Sequence, residues 1–224
     1  MHHQSLAKIY LADQYITDQS DSTRSIDIFN GHAHPSNIIS LIKDETIAPG
    51  RCMEYHLTAG AILLPLVGSL LVDPNGEETE LVCGELILIN QADYIKVVNN
   101  YDDALINYVI VIFRQSFNPA FFVSKFSFCL DRNKNEMQEV VNHHPVKMAI
   151  GKFEMRRDTT WLTGGSDKCS FCWVLQGSFE IEGRLLHARD ALAVWNTSML
   201  EIESLGKESI LLMIDQELTH HNEV

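Results

Sequence analysis

The chain has 224 residues, 46% hydrophobic and 21% charged, which is the balance of an ordinary globular protein that needs no staples to fold. Its net charge of −13 argues against nucleic acid or an anionic membrane surface as a partner. No apolar run reaches the ~18–20 residues of a membrane span, and no basic segment followed by an apolar one opens the chain, so a cytoplasmic location is expected.

In chain order, residues 5–12 make a short apolar strand, followed by a polar loop from Thr17 to Thr23. From Ser25 to Phe113 the text alternates strand and turn, with Pro49-Gly50 and Asn75-Gly76 as turn signals. Arg114 to Val141 reads as a connection carrying Phe117, Phe121, Phe122, Phe126 and Phe128, and Asp131 to Val141 is its most helix-like stretch. His143-His144 before Pro145 reads as the linker into a second β-rich half, which runs from Val146 to Leu218. The expected division is therefore 1–115, a connecting segment 116–145, and 146–224.

The two halves repeat. Leu66-Val67-Gly68-Ser69-Leu70 returns 109 residues later as Leu175-Gln176-Gly177-Ser178-Phe179. Each copy is followed by a turn and an apolar run: Gly84 to Ile89 in the first half, Arg189 to Val194 in the second. The length difference falls in the turn, Asp73 to Gly76 against Glu182-Gly183, as duplicated structural units require.

These residues resemble the pirin-related branch of the two-domain cupins. Gly84 and Asn99 stand at the first and last positions of the second cupin motif, at the family spacing. The segments LAKIYLADQ, NIISLIKDETIAPG and FEIEGRLLHARDALAVW extend the likeness over residues 5 to 218. The resemblance implies an all-β bicupin, with two double-stranded β-helix barrels of jelly-roll type and a short helical connection. It further implies an iron-type metal held in the N-terminal barrel by three His and one Glu. Some family members cleave flavonols such as quercetin with O₂, and others act as nuclear cofactors of transcription regulators.

Counted back from Gly68, the first two His positions fall on Glu54 and His56 and the Glu position on Gly60, while the last His position is Ile95. One ligand is kept, one becomes a carboxylate, and two are lost. The matching positions of the second half are Thr163, Gly165, Cys169 and Leu200, which form no metal site. Residues two apart on a strand share a face, so Glu54 and His56 pair, and Asp93 is the nearest third ligand by parity. A transition metal held tightly wants at least three protein ligands.

Other motifs are weaker. Cys169-Ser-Phe-Cys172 has a redox or zinc spacing, but in a strand its thiols point to opposite faces, and the five cysteines read as reduced. His32-Ala33-His34 sits in a loop from which it could supplement Glu54 and His56. The other histidines (His2, His3, His187, His220, His221) and the pair Arg156-Arg157 read as solvated, and Trp161, Trp173 and Trp195 as packing.

The expectation placed first is a metal-free, pirin-like binder of a small molecule or a protein partner, acting through a pocket that includes Gly60 and Ile95. The alternative is a quercetinase-like dioxygenase that uses Fe or another divalent metal on Glu54 and His56. A metal-free acid–base pair formed by the same two residues is the third reading.

Overall fold

Short runs of β-formers broken by turn residues become twenty-one strands in the computed structural model, which describes residues 5–30, 38–57, 59–116, 120–165 and 167–218. His2, His3, His32, His34, Phe117, His220 and His221 lie outside the described residues. The strands are β1 Leu6–Tyr10, β2 Ile16–Gln19, β3 Thr23–Asn30, β4 Ile39–Ile47, β5 Cys52–His56, β6 Ala61–Val67 and β7 Leu70–Pro74. Then come β8 Thr79–Leu81, β9 Glu85–Asn90, β10 Tyr94–Val98, β11 Ile106–Phe113, β12 Phe122–Ser127, β13 Gln138–His143 and β14 Val146–Phe153. The chain closes with β15 Arg157–Leu162, β16 Lys168–Gln176, β17 Ser178–Ile181, β18 Arg184–His187, β19 Ala191–Trp195, β20 Met199–Ser204 and β21 Ser209–Glu217.

The strands form two compact units, one holding 15–30 and 38–127, the other 5–14 and 128–218 of the described residues. The first unit pairs a sheet of order β12-β9-β6-β11-β4-β3-β2 with a smaller sheet β5-β10-β7-β8. The second pairs β1-β19-β16-β21-β14-β13 with β15-β20-β17-β18. Strand for strand, β9-β6-β11-β4-β3 and β19-β16-β21-β14-β13 are the same arrangement, so the sequence repeat is a repeat of topology. The irregularities repeat as well. Register slips where Val67 and Pro65 meet Asn107 and Tyr108, and again where Gln176 and Val174 meet Ile210 and Leu211. Each bulge leads into a glycine of positive φ, Gly68 at 78° and Gly177 at 80°, the left-handed region that glycine enters without cost.

Each unit has an aliphatic interior. Leu63, Ile87, Ile95, Val97, Tyr108 and Ile110 are central to the first, and Trp161, Val174, Phe179, Ile202, Leu211 and Met213 to the second. Strand β6 is buried on both faces, with Ile62 and Leu64 as inaccessible as Ala61 and Leu63, which explains why its sequence does not alternate.

Four expectations need correction. The helical connection is absent: residues 138–143 form β13, which pairs antiparallel with β14, and among the described residues the only helical segment is the short 3₁₀ turn Ala12–Gln14. Val140 and Val141 are β-branched, and the ladder to β14 outweighs the polar character of the segment. His143-His144-Pro145 is consequently a hairpin turn inside the second unit, not a linker between units. Thr17 to Thr23 is a hairpin too, β2 against β3, whose turn is closed by Ser20 Oγ accepting the Ser22 and Thr23 N–H groups. The units also cross the expected limits at 115 and 146. Strand β1 pairs with β19, from Leu6↔Trp195 to Tyr10↔Ala191, and β12 pairs with β9. Among the described residues no helix is long and apolar enough to cross a membrane.

Candidate functional site

Strand β5 decides what the first barrel can hold. Its burial alternates, with Met53 and Tyr55 packed against the core and Cys52, Glu54 and His56 exposed. Glu54 lies opposite Lys96 of β10, its carboxylate 3.7 Å from the ammonium on the solvent side. His56, also exposed, lies opposite the half-buried Tyr94. Asp93 is exposed in the turn before β10, where its N–H donates to Asn75 Oδ1. The side chain that faces inward between Glu54 and His56 is Tyr55, across from Ile95, which is fully buried in the core. A shift of one residue in a strand moves every side chain to the other face, and here it puts both candidate donors outside.

Gly60 and Ile95 offer no donor atom from a side chain. A Cβ at position 60 would stand 2.3 Å from the Ile89 carbonyl oxygen and 3.1 Å from Asn90 Cα, so β9 backbone fills the space of the family's carboxylate. The residues at these positions therefore do not fit the metal that the resemblance implies. Among the described residues, no group of three or more His, Cys, Asp or Glu side chains is placed to hold a metal ion. In the second unit, Thr163 Oγ1 donates to the Gly165 and Thr197 carbonyls, and Leu200 is core. The five cysteines are free, Cys52, Cys83 and Cys129 exposed, Cys169 and Cys172 buried. Burial raises both buried thiols, the opposite of what a reactive thiolate requires.

What the first barrel does contain is a polar cluster in its aliphatic interior. Tyr108 of β11 lies directly across from Glu45 of β4, and the Tyr108 and Tyr55 hydroxyls are 2.7 Å apart. Glu45 is 1% exposed; its Oε1 accepts Ser25 Oγ–H at 2.9 Å, and Lys43 Nζ reaches Ser25 Oγ at 3.0 Å. Lys43 also bridges to Asp27 at 3.0 Å. Glu45 Oε2 is buried without a hydrogen bond of good geometry, although the Tyr55 hydroxyl is near enough to favour the charged form. Burial nonetheless holds the Glu45 carboxyl above the ordinary carboxylate range, against the opposing pull of Ser25, Lys43 and Tyr55. Burial first, then each other's charge and Glu45, raise Tyr55 far above an ordinary phenol, and burial likewise raises Tyr108. The cluster thus sets two phenols beside a carboxyl whose burial favours its neutral form.

Sequence reasoning missed this cluster. The available signal was Lys43-Asp44-Glu45 interrupting an apolar strand, together with Met53, Tyr55 and Leu57 as the apolar parity of β5. Replacing Tyr55 or Tyr108 by Phe is expected to cost about 1 kcal/mol each, with the double mutant costing less than the sum, because both changes break one shared hydrogen bond. Urea unfolding of the four proteins measures this; strict additivity would mean the two hydroxyls are not coupled.

Comparison with known proteins follows the same lines. Residues 134–215 match the quercetinase C-terminal cupin domain. A search of curated proteins gives no match. The fold is similar to that of YhhW from Escherichia coli, at 14% identity and TM-score 0.81, over 97% of this chain and 100% of that one. The same bacterial pirin in complex with nickel(II) aligns with TM-score 0.76 at 14% identity, over 96% of this chain and 100% of that one. A quercetin 2,3-dioxygenase from Acinetobacter baumannii aligns at 10% identity and TM-score 0.74, over 96% of this chain and 87% of that one. At such identities the likeness is one of fold. The domain match thus lies in the second half, and the two-barrel fold of the whole chain is similar to that of the bacterial pirin.

Proposed function

We propose that this protein is a metal-independent binder that takes a small molecule or a protein partner through its N-terminal barrel and performs no dioxygenation. The outward placement of Glu54 and His56 carries the reading, because the interior positions of a metal centre are left to Tyr55, Gly60 and Ile95. Free cysteines, three of them exposed, are in keeping with a reducing cytoplasm.

The alternative draws on the fold shared with the nickel(II)-bound bacterial pirin and the quercetin 2,3-dioxygenase. In that reading Glu54, His56 and Asp93 hold a divalent metal, which would supply O₂ activation. All three side chains are exposed in this structure, so the barrel wall would have to re-register to bring them together.

Metal analysis of protein purified without chelators, followed by quercetin assays with added iron, nickel or manganese, separates the two. The expected result is sub-stoichiometric metal, no turnover, and no change in Glu54→Ala or His56→Ala. One metal ion per chain, lost along with turnover in both variants, would reverse the order of the readings.

A further inference from the structure

The second barrel carries its polar groups at one end, where β14, β21 and β16 lie side by side. The inward rows of these strands begin as core, with Ala149, Met213 with Leu211, and Cys172 with Val174. At the barrel's end the same parity brings Lys147, Asp215, Ser170 and Lys168. Pairing sets Lys147 and Ser170 directly across from Asp215 on either side, and Lys168 across from Glu217. A cavity of about 200 Å³ opens there, lined by Lys147, Lys168, Asp215 and Thr163 and walled by the apolar Pro145, Val146 and Leu162.

Asp215 forms the floor, 5% exposed. One of its oxygens accepts the Ser170 hydroxyl, and the other accepts Trp161 Nε1–H at 2.7 Å. Each oxygen thus holds one donor of the protein, and the carboxyl fixes the indole. The lysines are placed differently. Lys147 Nζ lies 4.3 Å above the Trp161 ring and 2.8 Å from Glu139. Lys168 Nζ bonds Glu217 at 2.9 Å, and Glu217 is 3.5 Å from His144 Nδ1. An ammonium has three N–H donors, and each lysine meets one rim carboxylate, which leaves donors for a second acceptor. The volume corresponds to roughly seven waters at about 30 Å³ each, so the occupant is small.

We propose that the open end of the C-terminal barrel binds a short-chain monocarboxylate. Lys147 and Lys168 hold its carboxylate, and its alkyl chain lies on Pro145, Val146 and Leu162. This site is independent of whatever the N-terminal barrel does. Burial raises the floor carboxyl of Asp215 to about 6, against the hydrogen bonds from Ser170 and Trp161 and the charges of Lys147 and Lys168. Above that pH the floor is anionic and opposes a second anion; below it the floor is neutral. Binding therefore tightens as pH falls from neutrality towards 5. The charged groups facing the floor are Lys147 from β14 and Lys168 from β16, with Glu217, Glu139 and His144 at the rim.

The test is calorimetric titration of the whole protein with propionate at pH 5.5 and 7.5, with Trp161 fluorescence as a second signal. Saturable binding with Kd on the order of 1 mM at pH 5.5, several-fold weaker at pH 7.5, is expected for a ligand of this size. Lys147→Gln and Lys168→Gln should each weaken binding about tenfold, as loss of one charge-assisted contact does. Lys152→Gln, whose partners are Asp131 and Glu208, should change nothing. Asp215→Asn should bind at pH 7.5 as the parent does at pH 5.5, while His144→Gln keeps the pH dependence. No saturation by 50 mM propionate, equal weakening by Lys152→Gln, or binding of inorganic phosphate in place of carboxylates would overturn the proposal.

Discussion

Gly60→Glu, which writes a carboxylate back into the family's ligand position, is expected to destabilise the protein by about 2–3 kcal/mol and to recruit no metal. The atoms that a side chain at 60 would meet are backbone: Ile89 O at 2.3 Å, Asn90 Cα at 3.1 Å and Ile89 C at 3.2 Å. They cannot swing aside like the end of a lysine, because Ala61↔Ile89 pairing holds β9 against β6 and Gly60 O accepts the Phe113 N–H at 3.0 Å. Gly60 does not have the positive φ of Gly68 or Gly177, so the cost is steric rather than conformational. Gly60→Ala should carry most of the same penalty, which separates the close approach from the charge. Urea unfolding and metal analysis of the two variants check this. A Gly60→Glu protein within 0.5 kcal/mol of the parent, or one that binds an equivalent of metal, would show that β9 yields where the structure holds it fixed.

Asp215→Ala should cost about 2–4 kcal/mol near pH 4, because it leaves the Trp161 indole N–H and the Ser170 hydroxyl without their buried acceptor. The loss should shrink as pH rises. Asp215 titrates at about 6 in the folded protein against 3.8 unfolded, so the native state binds the proton more tightly. Its stabilising contribution is then complete below the unfolded value and is lost as pH climbs through the folded one, an effect of about 3 kcal/mol across that window. Unfolding measured at pH 4, 5, 6 and 7 should show the gap between parent and variant narrowing. A gap that stays constant would mean that Asp215 is ionised throughout.

The duplication was legible because its signals are local. Gly68 and Gly177 each mark a strand end that enters the left-handed region, and turn residues such as Asn75-Gly76 and Glu182-Gly183 keep that chemistry whatever packs around them. The β-rich class followed from the clustering of β-formers between those turns. Facing was harder to read. Counting back from Gly68 to Glu54 and His56 fixes spacing but not facing, and the residues that face the core are the odd-numbered Met53, Tyr55, Leu57, Ala61 and Leu63. Met53, Tyr55 and Leu57 held the correct answer as an apolar row, yet a His two residues from a Glu drew the reading to the opposite face. Glu45 was invisible for a related reason. Lys43-Asp44-Glu45 looks like a solvated interruption until Tyr55 and Tyr108 arrive from strands distant in sequence. The segment 131–141 looked helical because its polar residues lack a visible partner, and β14 supplies that partner only in three dimensions.

The pairing of β1 with β19 makes biosynthesis a matter of waiting. Strand β1 is made well before its partner β19, and at about 5–20 residues per second roughly 10–40 s separate the two. Residues 15–127 can meanwhile close their own sheets, so β1 has to trail from an already folded body until the second unit forms. A bulky tag fused ahead of Ser5 would therefore burden the half of the molecule farthest from it along the chain.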